Sequence, residues 1–449
     1  MSQQTVPQPK GDFLLGNFRQ LAPDPFPALC RWHADYGDLT GFKIGRQQFY
    51  LVSHPHLLED ALIKQADVFI KLYSSGKPKG LELVLGQGLV TSKGELWQNQ
   101  RQLMQPVFQR KNLGALLPQI VRSGEELLER WRLLGDGAEV NLAGEMMRVT
   151  LEVITQTMFG ASVLDKVERI APALNTALRF ATRSLMSPVA IPLSWPTRSN
   201  REFKRAMAIL DETIYGIIGR RSELTADNQN LLDMLLQAHD PHTGKAMNAR
   251  QLRDEVITIF SAGHETTSNL LTWTLYLLAK HPAILGKLRQ EIDAFTDDGL
   301  LEAVAANTLT YTKAVLNESM RLRPPVGVML RKISRDTEIG GYALKANSLA
   351  VFSIYNIHHH QDFWSDPEQF IPERFFSTDS RRYAFVPFGA GERICIGNNF
   401  ALLESQLLLA MILRHYDFEL LNPAEAQIEM IVSIRPKGGV PARLRRRRW

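Results

Sequence analysis

Apolar residues recur at spacings of three and four through Glu125-Glu-Leu-Leu-Glu-Arg-Trp131 and again from Arg201 to Arg221. That spacing puts them on one face of a 3.6-residue helix. It persists from about Glu95 to Arg323, so this stretch is expected to be mostly helical. Turns are expected at Asp240-Pro-His-Thr-Gly244 and Lys280-His-Pro282, where Pro and Gly interrupt the pattern. Between them a long apolar helix should run from about Asn248 through Leu278. Roughly the first ninety residues mix helices with short β-like pieces, of which Phe49-Tyr-Leu-Val-Ser53 is a predicted strand. After Pro324 the chain turns β- and loop-rich, with a hairpin expected in Asp336-Thr-Glu-Ile-Gly-Gly-Tyr342. A last helix should span about Asn398 to His415, followed by strand-like sequence. There is no internal repeat and no Pro/Gly/Ser-rich linker. The pattern predicts one mainly α domain with smaller β regions, built around a cofactor.

Composition narrows this picture. Of 449 residues, 45% are apolar and 22% charged, which excludes a disordered, collagenous or disulfide-scaffold chain. Lys and Arg number 52 against 47 acidic residues. Part of the excess is Arg443, Arg445, Arg446, Arg447 and Arg448, and the near balance elsewhere makes no case for nucleic acid. Two cysteines, Cys30 and Cys395, favour a reducing compartment. The first ten residues lack the basic start and apolar run of a signal peptide, and no apolar run reaches membrane-spanning length. A cytoplasmic protein without a membrane anchor is expected.

The most informative stretch is Phe388-Gly-Ala-Gly-Glu-Arg-Ile-Cys-Ile-Gly397. Cys395 sits immediately before the last helix, whose free N–H groups and partial positive charge stabilise a thiolate. Gly391 and Gly397 allow a sharp turn and the close approach of a flat partner. Arg393 can pair with an anionic group on that partner. The combination suits a thiolate ligand to haem iron with a propionate on Arg393. The alternative is a buried free cysteine in a glycine-rich turn.

This segment resembles the haem-binding loop of the cytochrome P-450 family, Phe-x-x-Gly-x-Arg-x-Cys-x-Gly, at every fixed position: Phe388, Gly391, Arg393, Cys395 and Gly397. The resemblance extends in order over nearly the whole chain. It implies one haem domain over residues 1–449, with 1–10 and 443–449 as flexible tails. It also implies haem b (iron protoporphyrin IX) as cofactor, Cys395 as the axial metal ligand, and dioxygen as co-substrate.

Other segments fit the same family. Glu318-Ser-Met-Arg321 resembles its Glu-x-x-Arg helix, and Pro372-Glu-Arg-Phe375 supplies a second arginine, Arg374. These three would form a buried structural network fixing the chain that leads into the cysteine loop. In Ala262-Gly-His-Glu-Thr-Thr267, Thr266 can bond a carbonyl of the preceding turn. The resemblance makes Glu265 and Thr266 the acid–alcohol pair that delivers protons for dioxygen cleavage, beside Ala262. His264 is assigned no chemistry. Trp97-Gln-Asn-Gln-Arg101 resembles the Trp-x-x-x-Arg element, whose two side chains reach a propionate, and Arg331 and His358 match further propionate contacts. The run His358-His359-His360 lacks paired cysteines and makes a poor zinc site by sequence.

By the same resemblance, Val90, Ile259, Ala262, Val326, Val328 and Val432 line a dry pocket for a hydrophobic small molecule, lipid-like if Arg46 and Tyr50 clamp a carboxylate at its mouth. The chain ends soon after Cys395 without a reductase region. Electrons are expected from a separate ferredoxin or flavodoxin-type protein with its reductase, steered by Arg110, Lys111, Arg381 and Arg382. The expected activity is that of a haem-thiolate monooxygenase acting as a monomer. The alternatives are a peroxide-using or oxygen-independent haem-thiolate enzyme and a non-catalytic haem sensor.

Overall fold

A computed structural model describes residues 5–22, 24–72, 78–187, 191–222, 230–239, 244, 246–377, 382–422 and 424–447. Helices form most of the chain and build one large apolar core, while two smaller apolar clusters flank a sheet. The helices that matter for the site are α1 (Gly94–Met104), α2 (Leu142–Phe159), α3 (Ala249–Lys280), α4 (Thr310–Leu322) and α5 (Asn398–His415). The expected long helix is α3, capped by the Asn248 side chain on the Gln251 N–H and ended before Pro282. It is buried almost along its length, so apolar residues appear all round it rather than on one stripe. Residues 240–243 of the first expected turn lie outside the described residues.

The sheet runs β1 (Leu39–Ile44), β2 (Gln47–Val52), β3 (Phe69–Lys71), β4 (Val328–Ile333) and β5 (Leu349–Ser353). Its order is β1-β2-β5-β4-β3, parallel only between β2 and β5. In β2, Phe49 and Leu51 face one apolar cluster and Tyr50 and Val52 the other, the period-two alternation of a strand buried on both faces. The expected hairpin is Thr337–Ile339 paired with Tyr342–Leu344, closed by Gly340 and Gly341 at φ 54° and 83°.

α2 and α3 pack closely because Gly263 has no side chain: a Cβ there would stand 2.5 Å from Ile154 Cδ1. The Thr150 hydroxyl also donates to the carbonyl of His264 across this contact.

The expected flexible tails are corrected where the structure describes them. Val6 is buried and Pro7 accepts from the Gly41 N–H of β1. Pro441–Arg446 is a strand paired on both sides, and Arg443, Arg445 and Arg447 pair with Glu139, Glu419 and Asp293. Alternate residues of this strand, Ala442 and Leu444, are fully buried, so an arginine-rich sequence becomes ordered by its small apolar set. Arg448 lies outside the described residues. Among the described residues, no helix is long and apolar enough to cross a membrane.

Candidate active site

The cysteine loop is a tight fold-back. The Cys395 N–H donates to the carbonyl of Phe388 at 2.9 Å, and Ile394 N–H to Gly391. Gly391 has φ 73°, and a Cβ there would lie 2.7 Å from the carbonyl oxygen of Leu62. Only glycine fits both constraints. Gly397 is in ordinary backbone geometry with room around it; its contribution is an N–H toward the Cys395 sulfur. Burial pushes the Cys395 thiol up, while that N–H and the guanidinium of Arg101 pull it down. Deep as its sulfur lies, Cys395 keeps free surface, and so does Ala262 midway along the otherwise buried α3. Both therefore present interior surface.

Four cations gather here. Arg393 lies over the ring of Trp97 at 3.9 Å and donates to the carbonyl of Ser92. Arg101 donates to the carbonyl of Ile394 at 2.7 Å, tying α1 to the cysteine loop. Arg331 is buried in β4 and donates to the adjacent Leu330 carbonyl. Lys71, which nothing in the sequence singled out, is its cross-strand partner in β3. Burial and the charges of Arg331 and Arg393 push Lys71 down to about 7. Arg393 falls to about 10 through burial and the neighbouring Arg331 and Arg101, opposed by Glu392. Like charges opposite one another in a sheet are destabilising. A cluster of this kind beside a thiol and free inner surface fits a bulky cofactor with a metal and carboxylates, which is the donor set haem requires.

The proposed acid–alcohol pair is not in mutual contact. The Thr266 hydroxyl donates to the Ala262 carbonyl at 2.7 Å, as expected from the sequence. Glu265, next in line and about a quarter-turn away, accepts instead from the Ser433 hydroxyl at 2.6 Å, and Asn269 donates to Ser433. Burial raises the Glu265 carboxyl, which Ser433 and Arg435 partly offset. Ser433 and Asn269 were missed because their link to Glu265 spans the fold. His264 bonds the Phe260 carbonyl and is held down to about 4 by burial.

His358 is a correction. It is fully buried, with Nδ1 toward the Met320 carbonyl and Nε2 accepting from the Val386 N–H. Both ring nitrogens are used, and burial holds it neutral, down to about 3. It is a pillar between α4 and the segment entering the cysteine loop, not a contact for an anion. The clamp of Arg46 and Tyr50 is also not formed: Tyr50 is buried in the cluster with Leu39 and Val52, where its hydroxyl accepts from the Lys345 N–H, and Arg46 is exposed.

Glu318, Arg321 and Arg374 do meet. Glu318 holds Arg321 through both carboxylate oxygens at 2.7 and 2.8 Å and accepts from Arg374 at 3.3 Å. Of the expected pocket residues, Ile259 is buried, Val90, Val326, Val328 and Val432 are partly buried, and Ala262 is open. The segments carrying Val326 and Val432 adjoin, through the Ile434 N–H on the Pro325 carbonyl.

A largely helical domain folded over a glycine-bounded thiol and a nest of cations defines a haem-thiolate class of protein. Comparison with known proteins agrees: the cytochrome P-450 family matches residues 6–440. The chain is 30% identical to the cyclooctat-9-en-7-ol 5-monooxygenase of Streptomyces melanosporofaciens, over 89% of this chain and 86% of that one. It is 30% and 31% identical to two cytokinin hydroxylases of Arabidopsis thaliana, over 98% and 92% of this chain and 91% and 82% of theirs. The chain belongs to the cytochrome P-450 family. It is a monooxygenase that uses haem iron and dioxygen.

Proposed function

We propose that the protein inserts one atom of dioxygen into a hydrophobic small molecule, using haem b held by Cys395 and electrons from a separate ferredoxin or flavodoxin-type protein. The observation that carries this reading is the free inner surface of Cys395 beside the cations Lys71, Arg101, Arg331 and Arg393. When bound, haem supplies dioxygen activation at iron, with the thiolate as electron-donating ligand.

The chain's own groups then have separate tasks. Arg101, Arg331, Arg393 and Lys71 hold the propionates, and Trp97 supports Arg393 from below its guanidinium plane. Glu265 stores a proton in a buried carboxyl, oriented by Ser433. The Thr266 hydroxyl, facing the open side of α3 with Ala262, passes protons on; rotation of Glu265 or a water bridges the gap between them. Val90, Ile259, Val326, Val328 and Val432 hold substrate by shape and exclude water.

The relatives' names share oxygen insertion but not a substrate, so substrate choice rests on this pocket. Exposed Arg110, Lys111 and Arg382 support docking of an acidic electron donor; Arg381 lies outside the described residues. The test is spectroscopic. The reduced, carbon monoxide-bound protein should show a thiolate-type Soret band that Cys395→Ala removes, together with all oxygen insertion. An unchanged band in that variant would overturn the reading. Titrating hydrophobic compounds against the Soret band should then identify ligands that displace water, and turnover with an acidic donor should fall as salt rises.

A further inference from the structure

Of the three consecutive histidines, His358 is a core pillar and His359 stacks on Tyr355 at 4.0 Å. His360 turns elsewhere. Its Nε2 lies 3.0 Å from Asp38 Oδ1, and its ring is 5.6 Å from that of His33 and 4.8 Å from that of His54. One ligand atom from each of His33, Asp38 and His360 lies within 4.8 Å of the other two. We propose that His33, Asp38 and His360 form a zinc-binding site, with water as fourth ligand.

The three residues come from separate segments. His33 lies in the last turn of the helix Phe26–Tyr36, Asp38 stands between Gly37 and β1, and His360 follows the short helix Ile354–His358. Asn356 binds these segments together by donating to the Leu29 carbonyl and the Ser53 hydroxyl. The sequence run therefore suggested nothing, because its zinc partners lie more than three hundred residues away.

The geometry is close to what zinc needs. Neighbouring ligand atoms in a tetrahedral site with bonds of about 2.0–2.1 Å stand roughly 3.3 Å apart. The Asp38–His360 pair is already near that spacing, and His33 needs to close by at most about 1.5 Å. Part of the second ligand sphere is also present. His33 Nδ1 lies 3.3 Å from the Gly37 carbonyl, which only a protonated Nδ1 can bond, so its Nε2 lone pair is available. On His360, Nδ1 accepts from the Asp362 N–H at 3.3 Å, so Nε2 carries the ring proton toward Asp38; zinc at Nε2 moves that proton to Nδ1, which gives up this bond and turns to the Asp362 carboxylate, 3.9 Å away. That shift moves a proton within the imidazole and leaves charge balanced. Phe363 walls the inner side through ring contacts with His54, His56 and His360, while exposed Asp362 and half-exposed Asp38 leave the outer side open to solvent. His54 and Asp362 with His360 form a second trio of the same spacing; it shares His360, so only one can fill.

Zinc there would pin the amino-terminal helix and β1 to the turn after His358. The test uses the haem-loaded full chain, stripped with a chelator and titrated with zinc chloride by calorimetry, with zinc content measured after gel filtration. One zinc per chain is expected, with affinity falling at least tenfold in both His33→Ala and Asp38→Asn and unchanged in His54→Ala. The Soret spectrum should stay constant throughout, separating this site from the haem. Wild-type protein that retains no zinc, or loss in His54→Ala with none in His33→Ala, would overturn the assignment. If Asp38→Asn folds poorly, the histidine variants decide: loss of zinc in His33→Ala with none in His54→Ala supports the site, and the reverse rejects it.

Discussion

In the Glu318 network, every N–H of Arg321 finds an acceptor: Glu318 takes two bonds, and the carbonyls of His358, Pro367 and Gln369 take the rest. Arg374 is similarly held by Glu318, Ser365 and Asp366. The cations around Cys395 are the reverse case. Lys71 and Arg331 face each other across two strands, and Arg101 and Arg393 add to the repulsion, with Glu392 as the counter-charge that bears on them. Both regions bury arginine, and neither could be ranked from sequence. The difference separates structural charge, which is saturated within the chain, from binding charge, whose partner must arrive.

The largest expected effect breaks the saturated side. Glu318→Ala leaves Arg321 as an uncompensated buried cation, and stability by urea unfolding should fall by about 3–5 kcal/mol. A loss under 1 kcal/mol would mean the network is not a structural unit. On the other side, Arg393→Gln would remove the charged hydrogen bond proposed to a propionate, about 1.5–3 kcal/mol. Haem transfer to an acceptor protein should then be faster by about ten- to hundredfold, while the haem-free chain is no less stable because repulsion is relieved.

A third experiment sharpens the comparison through pH. Lys71 titrates near 7 in the folded, haem-free chain and, as an ordinary lysine, near 10.4 unfolded. Between those values the unfolded state binds the extra proton, so the stability of the haem-free chain should rise with pH through this window. Propionates arriving at the site favour charged Lys71, so haem binding at pH 8 to 9 should take up a proton. Lys71→Met should abolish both effects; calorimetry in buffers of different ionisation enthalpy measures the uptake. The smallest effect concerns Glu265. Ser433→Ala removes a bond that favours the ionised carboxylate, so the apparent Glu265 pKa should move further up. Infrared titration of the carboxyl, alongside the pH–rate profile, checks it.

What the sequence determined by itself was local and ordered along the chain. Helix periodicity, the Pro and Gly interruptions that bound the long helix, and the fixed spacing from Phe388 to Gly397 are near-neighbour properties, and they carried the fold class and Cys395. The Glu318–Arg321 pair was legible for the same reason, being three apart on one helix. Tertiary structure alone decided which polar groups are already satisfied. His358 looked like an anion contact until Met320 and Val386 were seen to use both its nitrogens, and Tyr50 until its hydroxyl met Lys345. Lys71, Ser433 and the gathering of His33 with His360 depend on strand register and on contacts across the fold. Hydrogen bonding and charge are settled by distance in space, and the sequence records distance only along the chain.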